Sequence, residues 1–202
     1  MAVASPIHRL TESEYLEIER RAEFKSEFLD GEMFAMAGGS PRHSQIASNA
    51  IRALGNKLES RGCIVFTSDL KLKVEVTELF TYPDVSIVCG PQKYAAGTDD
   101  VLVNPILLVE VLSDSTEAYD RGTKFEHYRQ IPSLREYLLI SQKEPHVELF
   151  IRQQNKEWLL REATGLDSKI ELPSLEITLA LSEIFANVEF VPGPIRTATP
   201  RP

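Results

Sequence analysis

With 202 residues, an apolar share of 43% and a charged share of 26%, the chain has the size and balance of one ordinary globular domain with a sizeable core. Its formal net charge of −8 argues against indiscriminate nucleic-acid binding, which relies on Lys and Arg neutralising phosphates, and leaves room only for a local basic groove. No window is apolar enough to span a bilayer, and the opening residues lack the charged start and apolar stretch of a signal peptide, so cytoplasmic residence is expected. Cys63 and Cys89 lie in strand-like surroundings and are expected as two reduced, buried thiols rather than a disulfide or a metal pair.

In chain order, residues up to about 7 read as a loose lead-in. Thr11-Glu12-Ser13-Glu14 has the form of a capping box, which predicts a short helix over 11–22. Apolar runs on either side of Asp30-Gly31 predict a hairpin over 24–36, carrying the acids Glu27 and Glu32. Ser40 as N-cap and Pro41 as first helical residue start a helix expected to reach about 61, with Ala47, Ile51, Leu54 and Leu58 as its apolar stripe. His43 sits in its first turn, where the helix dipole lowers the pKa of an imidazole. Strands are expected at 63–67, at 70–76 with Lys71, Lys73 and Glu75 facing solvent, and at 82–89, where Asp84 follows Pro83. A loop over 90–103 leads to the apolar run from Leu107 to Leu112.

That run reads as a strand covered on both faces. Its single carboxylate, Glu110, shares a face with Leu108 and Leu112 and therefore needs a cation, a hydrogen bond or a proton. Capping residues follow at Ser113 to Thr116. Asp120, Lys124 and Tyr128 then fall four apart, on one face of a helix, so Lys124 can lean back toward Glu110. After a turn at 131–133 come a strand at 136–140, a hairpin of 146–152 with 157–161, a strand at 169–172 and a small helix at 182–186. The whole is an α+β arrangement, a mixed sheet flanked by helices, as one domain over 1–190 with a disordered tail over 191–202.

Asp84 and Glu110 on neighbouring strands suit one Mg²⁺ or Mn²⁺, with the carbonyl of Val111 as a third oxygen ligand. Such a site activates water against phosphorus while Lys124 orients that water or stabilises the oxyanion. Phe28-Leu29-Asp30-Gly31-Glu32, His43, Tyr82-Pro83-Asp84-Val85, and Val109-Glu110-Val111-Leu112-Ser113 through Asp120, Lys124 and Tyr128 together resemble the Uma-two family. These are restriction-endonuclease-like proteins of the PD-(D/E)XK nuclease superfamily, and the likeness spans roughly residues 14–185. The resemblance implies a restriction-endonuclease-like core, Mg²⁺ or Mn²⁺ dependence and hydrolysis of DNA, with Asp84 and Glu110 as the motif's acids. It departs from the superfamily at Leu112, where the usual lysine would stand; Lys124 is similar to a lysine supplied from the following helix.

Each residue also has a plainer reading. Asp84 can be a turn acid, Glu110 a structural ion-pair member, and Lys124 a surface partner of Asp120. His43 can be satisfied locally, Glu27 can be a solvated acid rather than an auxiliary one, Asp120 positions Lys124, and Tyr128 is core. No phosphate loop, zinc spacing, dinucleotide fingerprint or Ser-His-acid arrangement is present. The competing class is a non-catalytic module of the same fold that binds a partner. A homodimer is expected from class alone, since cutting both strands takes two sites.

Overall fold

Left-handed turn residues and capping side chains divide this computed structural model, which describes residues 9–36 and 38–190, into its elements. The expectations for the lead-in and for the tail from residue 191 fall outside the described residues. Helix α1 (Glu12–Glu19) opens on the expected capping box: Thr11 Oγ1 accepts the Glu14 N–H at 3.3 Å, and the Glu14 carboxylate accepts the Thr11 N–H at 2.8 Å. Strands β1 (Ser26–Leu29) and β2 (Glu32–Ala35) form the expected hairpin. Its turn needs positive φ at Asp30 (51°) and Gly31 (81°), and a Cβ on Gly31 would lie 2.6 Å from Arg9 Cβ.

Helix α2 (Pro41–Leu58) starts where Ser40 Oγ accepts the His43 N–H at 3.1 Å. Its buried stripe is Ile46, Ala50, Ala53, Leu54 and Leu58, so the helix is rotated slightly from the expected face, and Ala47 and Ile51 line a cleft instead. Next come β3 (Cys63–Thr67), β4 (Lys71–Val74), β5 (Leu79–Thr81), β6 (Val85–Cys89), β7 (Val101–Leu102) and β8 (Leu107–Val111). After helices α3 (Glu117–Arg121) and α4 (Thr123–Tyr128) follow β9 (Glu136–Ile140), β10 (His146–Arg152), β11 (Trp158–Thr164), β12 (Lys169–Leu172), β13 (Ile177–Ala180) and α5 (Leu181–Ile184).

The strands form a six-stranded sheet of order β11-β10-β9-β8-β6-β3, a five-stranded sheet β2-β1-β5-β4-β7, and the pair β12-β13. In the larger sheet β8 and β9 run parallel, joined across α3 and α4, and the other pairs are antiparallel. Strand β8 is buried along its whole length. Leu107, Val109 and Val111 pack toward α2, β13 and α5, while Leu108 and Leu112 pack on the other face with Tyr128, Leu134 and Tyr137. Glu110 belongs to this second face by alternation.

Several local expectations are corrected. Strands β5, β7 and β13 are short and non-alternating, so sequence periodicity did not separate them from loops. Lys71 is buried, not solvent-facing: its ammonium lies 5.1 Å from the Tyr15 ring centroid and 5.6 Å from that of Tyr82. The helix carrying Asp120 and Lys124 breaks at Gly122, whose φ of −106° and ψ of −99° leave the helical region. The cysteines are not reduced thiols. Cys63 faces Cys89 across β3–β6 and the two form a disulfide. The Gly90 N–H donates to Gly62 O at 3.0 Å, which makes the cysteines the adjacent non-hydrogen-bonded pair, where side chains come closest.

Candidate active site

Val85 pairs with Val109 across β6 and β8, and one further step along each strand brings Asp84 and Glu110 to the same end of the sheet. Both open into a cleft of about 1230 Å³ bounded by the β1–β2 hairpin, the start of α2 and the α3–α4 segment. Asp84 Oδ2 accepts the Val111 backbone N–H at 2.8 Å and lies 3.1 Å from His43 Nε2. The hydrogen bond to Asp84 holds the His43 pKa above its ordinary value, against the lowering effect of burial, and the Val111 backbone adds to the rise. The helix-dipole expectation of a lowered imidazole is therefore overturned: a carboxylate in contact outweighs the partial charge of a helix terminus.

Glu110 is 4% exposed. Its Oε1 lies 2.9 Å from Lys124 Nζ and accepts a hydrogen bond from the Tyr128 hydroxyl at 2.8 Å. Burial pushes its pKa up to about 8; the Lys124 charge opposes the rise, and the charges of Asp84 and Asp120 add to it. Lys124 is equally buried and lies 3.4 Å from both Glu27 Oε1 and Asp120 Oδ1. Burial alone would lower its pKa, but Glu110, Glu27 and Asp120 together hold the ammonium well above its usual range. It is a permanent cation at any ordinary pH.

The supporting shell comes from distant elements. Thr81 Oγ1 donates to Glu27 Oε1, and the Tyr119 hydroxyl donates to Glu27 Oε2 at 3.0 Å. Burial raises the Asp120 pKa, and the nearby Lys124 opposes that rise. Burial likewise keeps the hydroxyls of Tyr119 and Tyr128 protonated and available as donors. The structure thus brings Asp84, Glu110, Lys124, Glu27, His43, Asp120 and the Val111 backbone to one place, while Glu32 stays exposed on β2. Tyr119, Tyr128 and Thr81 were missed as members. Tyr128 had a signal, its spacing from Lys124, but a lone Tyr at helical spacing reads first as core.

Two carboxylates at adjacent strand ends are oxygen donors of the kind a hard divalent cation takes. Asp84 and Glu110 line the same cleft. Each acid already holds an organic cation, His43 on Asp84 and Lys124 on Glu110. A potential metal-coordinating cluster lies elsewhere, on β10–β11, where His146, Glu148 and Glu162 bring ligand atoms within 4.8 Å of one another. There, however, Arg121 already pairs with Glu148, and His146 Nδ1 lies 2.9 Å from Thr164 Oγ1.

The sequence matches the family Uma2, described as "Putative restriction endonuclease", over residues 12–182. Two uncharacterized proteins of Synechocystis sp. are similar throughout. One is 36% identical over 187 residues, covering 93% of this chain and 97% of its own length. The other is 37% identical over 177 residues, covering 88% of this chain and 100% of its own. Among solved structures, one described as a putative nuclease belonging to DUF820 from Anabaena variabilis superposes with a TM-score of 0.70 at 20% identity, covering 88% of this chain and 98% of that one. The likeness shows a restriction-endonuclease-like fold of mixed sheets flanked by helices, as the α+β expectation had it.

Proposed function

The chain belongs to the Uma2 family, and from that membership together with its buried acid–lysine cluster we propose that it is a divalent-metal-dependent nuclease hydrolysing DNA phosphodiester bonds. The observation that supports this most is the convergence of Asp84, Glu110 and Lys124 at one strand end within an open cleft. Three buried acids around one buried lysine are costly to hold in a fold unless the charges serve binding or chemistry.

In this reading Asp84, Glu110 and the Val111 carbonyl hold Mg²⁺ or Mn²⁺, which supplies Lewis acidity and an activated water. Lys124, being permanently charged, cannot act as a base. Its ammonium stabilises the negative charge that develops on the phosphoryl oxygens. Asp120 and Glu27 position it, since each lies 3.4 Å from Nζ, and Tyr119 and Thr81 hold Glu27 in turn. The Tyr128 hydroxyl anchors one oxygen of Glu110. His43, 3.1 Å from Asp84 Oδ2, would have to give up that oxygen for Asp84 to hold a metal. A homodimer and a cytoplasmic setting complete the reading. No described helix is long and apolar enough to cross a membrane, and the Cys63–Cys89 bridge is the feature that weighs against a permanently reducing compartment.

One observation favours a second reading, a partner-binding module that keeps the fold without its chemistry: both carboxylates are already paired with cations. Calorimetry with Mn²⁺ on the wild type, Asp84→Ala and Glu110→Ala, followed by an oligonucleotide cleavage assay including Lys124→Ala, separates the two. The nuclease reading expects metal binding that both acid variants lose and cleavage that all three variants lose. No metal binding by the folded wild type would transfer the case to the module.

A further inference from the structure

The cleft that holds the acids also carries two unburied aromatic rings. Phe24 is 75% exposed and Phe34 50% exposed, and both line the cleft wall. Phe34 has a defined position relative to the site. It is the direct cross-strand partner of Glu27, so its side chain leaves the hairpin on the same face as the carboxylate that reaches Lys124. The neighbouring Phe28 points the other way and packs into a cluster with Tyr15 and Phe80, its ring centroid 4.7 Å from that of Tyr15. The hairpin thus satisfies its core with Phe28, and Phe34 contributes nothing to that cluster.

The charges of the cleft point away from a double helix. The carboxyl groups of Glu23, Glu27, Asp84, Glu110, Asp114 and Asp120 line it, against the cations Lys25, Arg42, Lys124 and Lys143 and the His43 imidazole, itself held by Asp84. Three of these cations are already bound to acids. Lys124 serves its three carboxylates, Lys143 lies 3.0 Å from Asp114 and 2.8 Å from Glu117, and Lys25 lies 2.6 Å from Asp69. Among the described residues Arg42 has a carbonyl partner instead, Gln142 O at 3.3 Å. Gripping a duplex requires many cations along two phosphate backbones. Stacking bases on aromatic rings requires few, and it is indifferent to sequence because every base has a π-face.

Resting on the nuclease reading above, we propose that the substrate of this site is unpaired DNA, a single strand or a frayed end, whose bases flanking the scissile phosphate stack on Phe34 and Phe24. The strand enters along the hairpin, its bases against the rings and its phosphate toward Asp84 and Glu110, with Arg42 at the rim meeting a neighbouring phosphate. A second copy of this chain adding to β2, the edge strand of the five-stranded sheet, is the competing occupant of the same surface.

The test is equilibrium binding, by fluorescence anisotropy in Ca²⁺ to suppress cutting, of a labelled oligothymidine and of a blunt duplex of mixed sequence and equal length. The proteins are the wild type, Phe24→Ala, Phe34→Ala, the double variant and Phe34→Trp, with Mn²⁺ calorimetry and size-exclusion chromatography on each. The wild type is expected to bind the single strand more tightly than the duplex. Each alanine variant should lose about five-fold or more in single-strand affinity, Phe34→Trp should retain it, and Mn²⁺ binding and elution volume should stay unchanged. Equal or tighter duplex binding, or alanine variants that bind the single strand as the wild type does, would overturn the proposal. So would a change of oligomeric state in Phe34→Ala, which would assign the rings to an interface between copies. Single-strand binding without Mn²⁺ binding or cleavage would sink the nuclease reading alone; cleavage of duplex with no single-strand preference would sink this inference alone.

Discussion

Replacing Lys124 with Met keeps most of the side-chain volume and removes what is, among the described residues, the one cation inside a ring of three acids. Glu110 lies 2.9 Å from Nζ, and Glu27 and Asp120 each lie 3.4 Å away. Removing one partner of a buried ion pair costs about 3–5 kcal/mol, because the other partner stays buried and uncompensated. At about 2–4 °C per kcal/mol for a chain of this size, Tm should fall by roughly 6–20 °C near pH 8. The loss should depend on pH in a definite sense. Glu110 has a folded pKa of about 8, above its ordinary 4.5, so the folded state holds that proton more tightly than the unfolded chain. Its contribution to stability is full below the ordinary value and fades as pH rises through about 8. Removing Lys124 takes away the charge that opposed the rise, which moves the Glu110 pKa higher still and steepens the decline. Asp120, also raised by burial and also opposed by Lys124, shifts in the same direction. Acid therefore rescues the variant by protonating Glu110 and Asp120. Urea unfolding of wild type and Lys124→Met at pH 5, 7 and 8.5 reads this directly, and the difference should shrink at least by half between pH 8.5 and pH 5. A difference independent of pH, or below about 1 kcal/mol at pH 8.5, would refute the assignment of Lys124 as the cluster's sole neutralising charge.

Two further outcomes follow from the same geometry. If Mn²⁺ takes the oxygens of Glu110, whose pKa lies near 8, its binding at pH 7 should release about one proton, and affinity should rise with pH through about 8. Calorimetry in buffers of different ionisation enthalpy measures that release, and a buffer-independent enthalpy would contradict it. Breaking the Cys63–Cys89 bridge, which closes a sequence separation of 26, should lower stability by about 3.5 kcal/mol on the loop-entropy account while leaving the cleft and whatever Mn²⁺ affinity it has intact. Denaturant unfolding of Cys63→Ser with and without reductant checks the size, and an equal loss of metal affinity would show that the bridge and the site are coupled.

Much of the site was legible in order but not in wiring. Glu110 stood out because an acid in an otherwise apolar strand must find a partner, and Lys124 because helical spacing aimed it at that strand. What spacing could not supply was the number of partners. Lys124 is shared among acids on β1, β8 and α3, and Glu27 reaches it only because the hairpin folds over the sheet end. His43 illustrates the same limit. Its position at a helix start was correct, yet its chemistry is set by Asp84, which a sequence window around the helix does not contain.

The Thr11 capping box, the Asp30-Gly31 turn, the Pro41 helix start and the buried β8 run are consequences of sterics and hydrogen bonds within a few residues, so the amino-acid order alone determines them. Strands β5 and β7, the rotation of α2, the burial of Lys71 and the meeting of Cys63 with Cys89 depend on which strands pair and in what register. The pKa values of the cluster belong to that second kind. Burial and charge act through groups distant in sequence, and only the packed chain brings those groups within reach of one another.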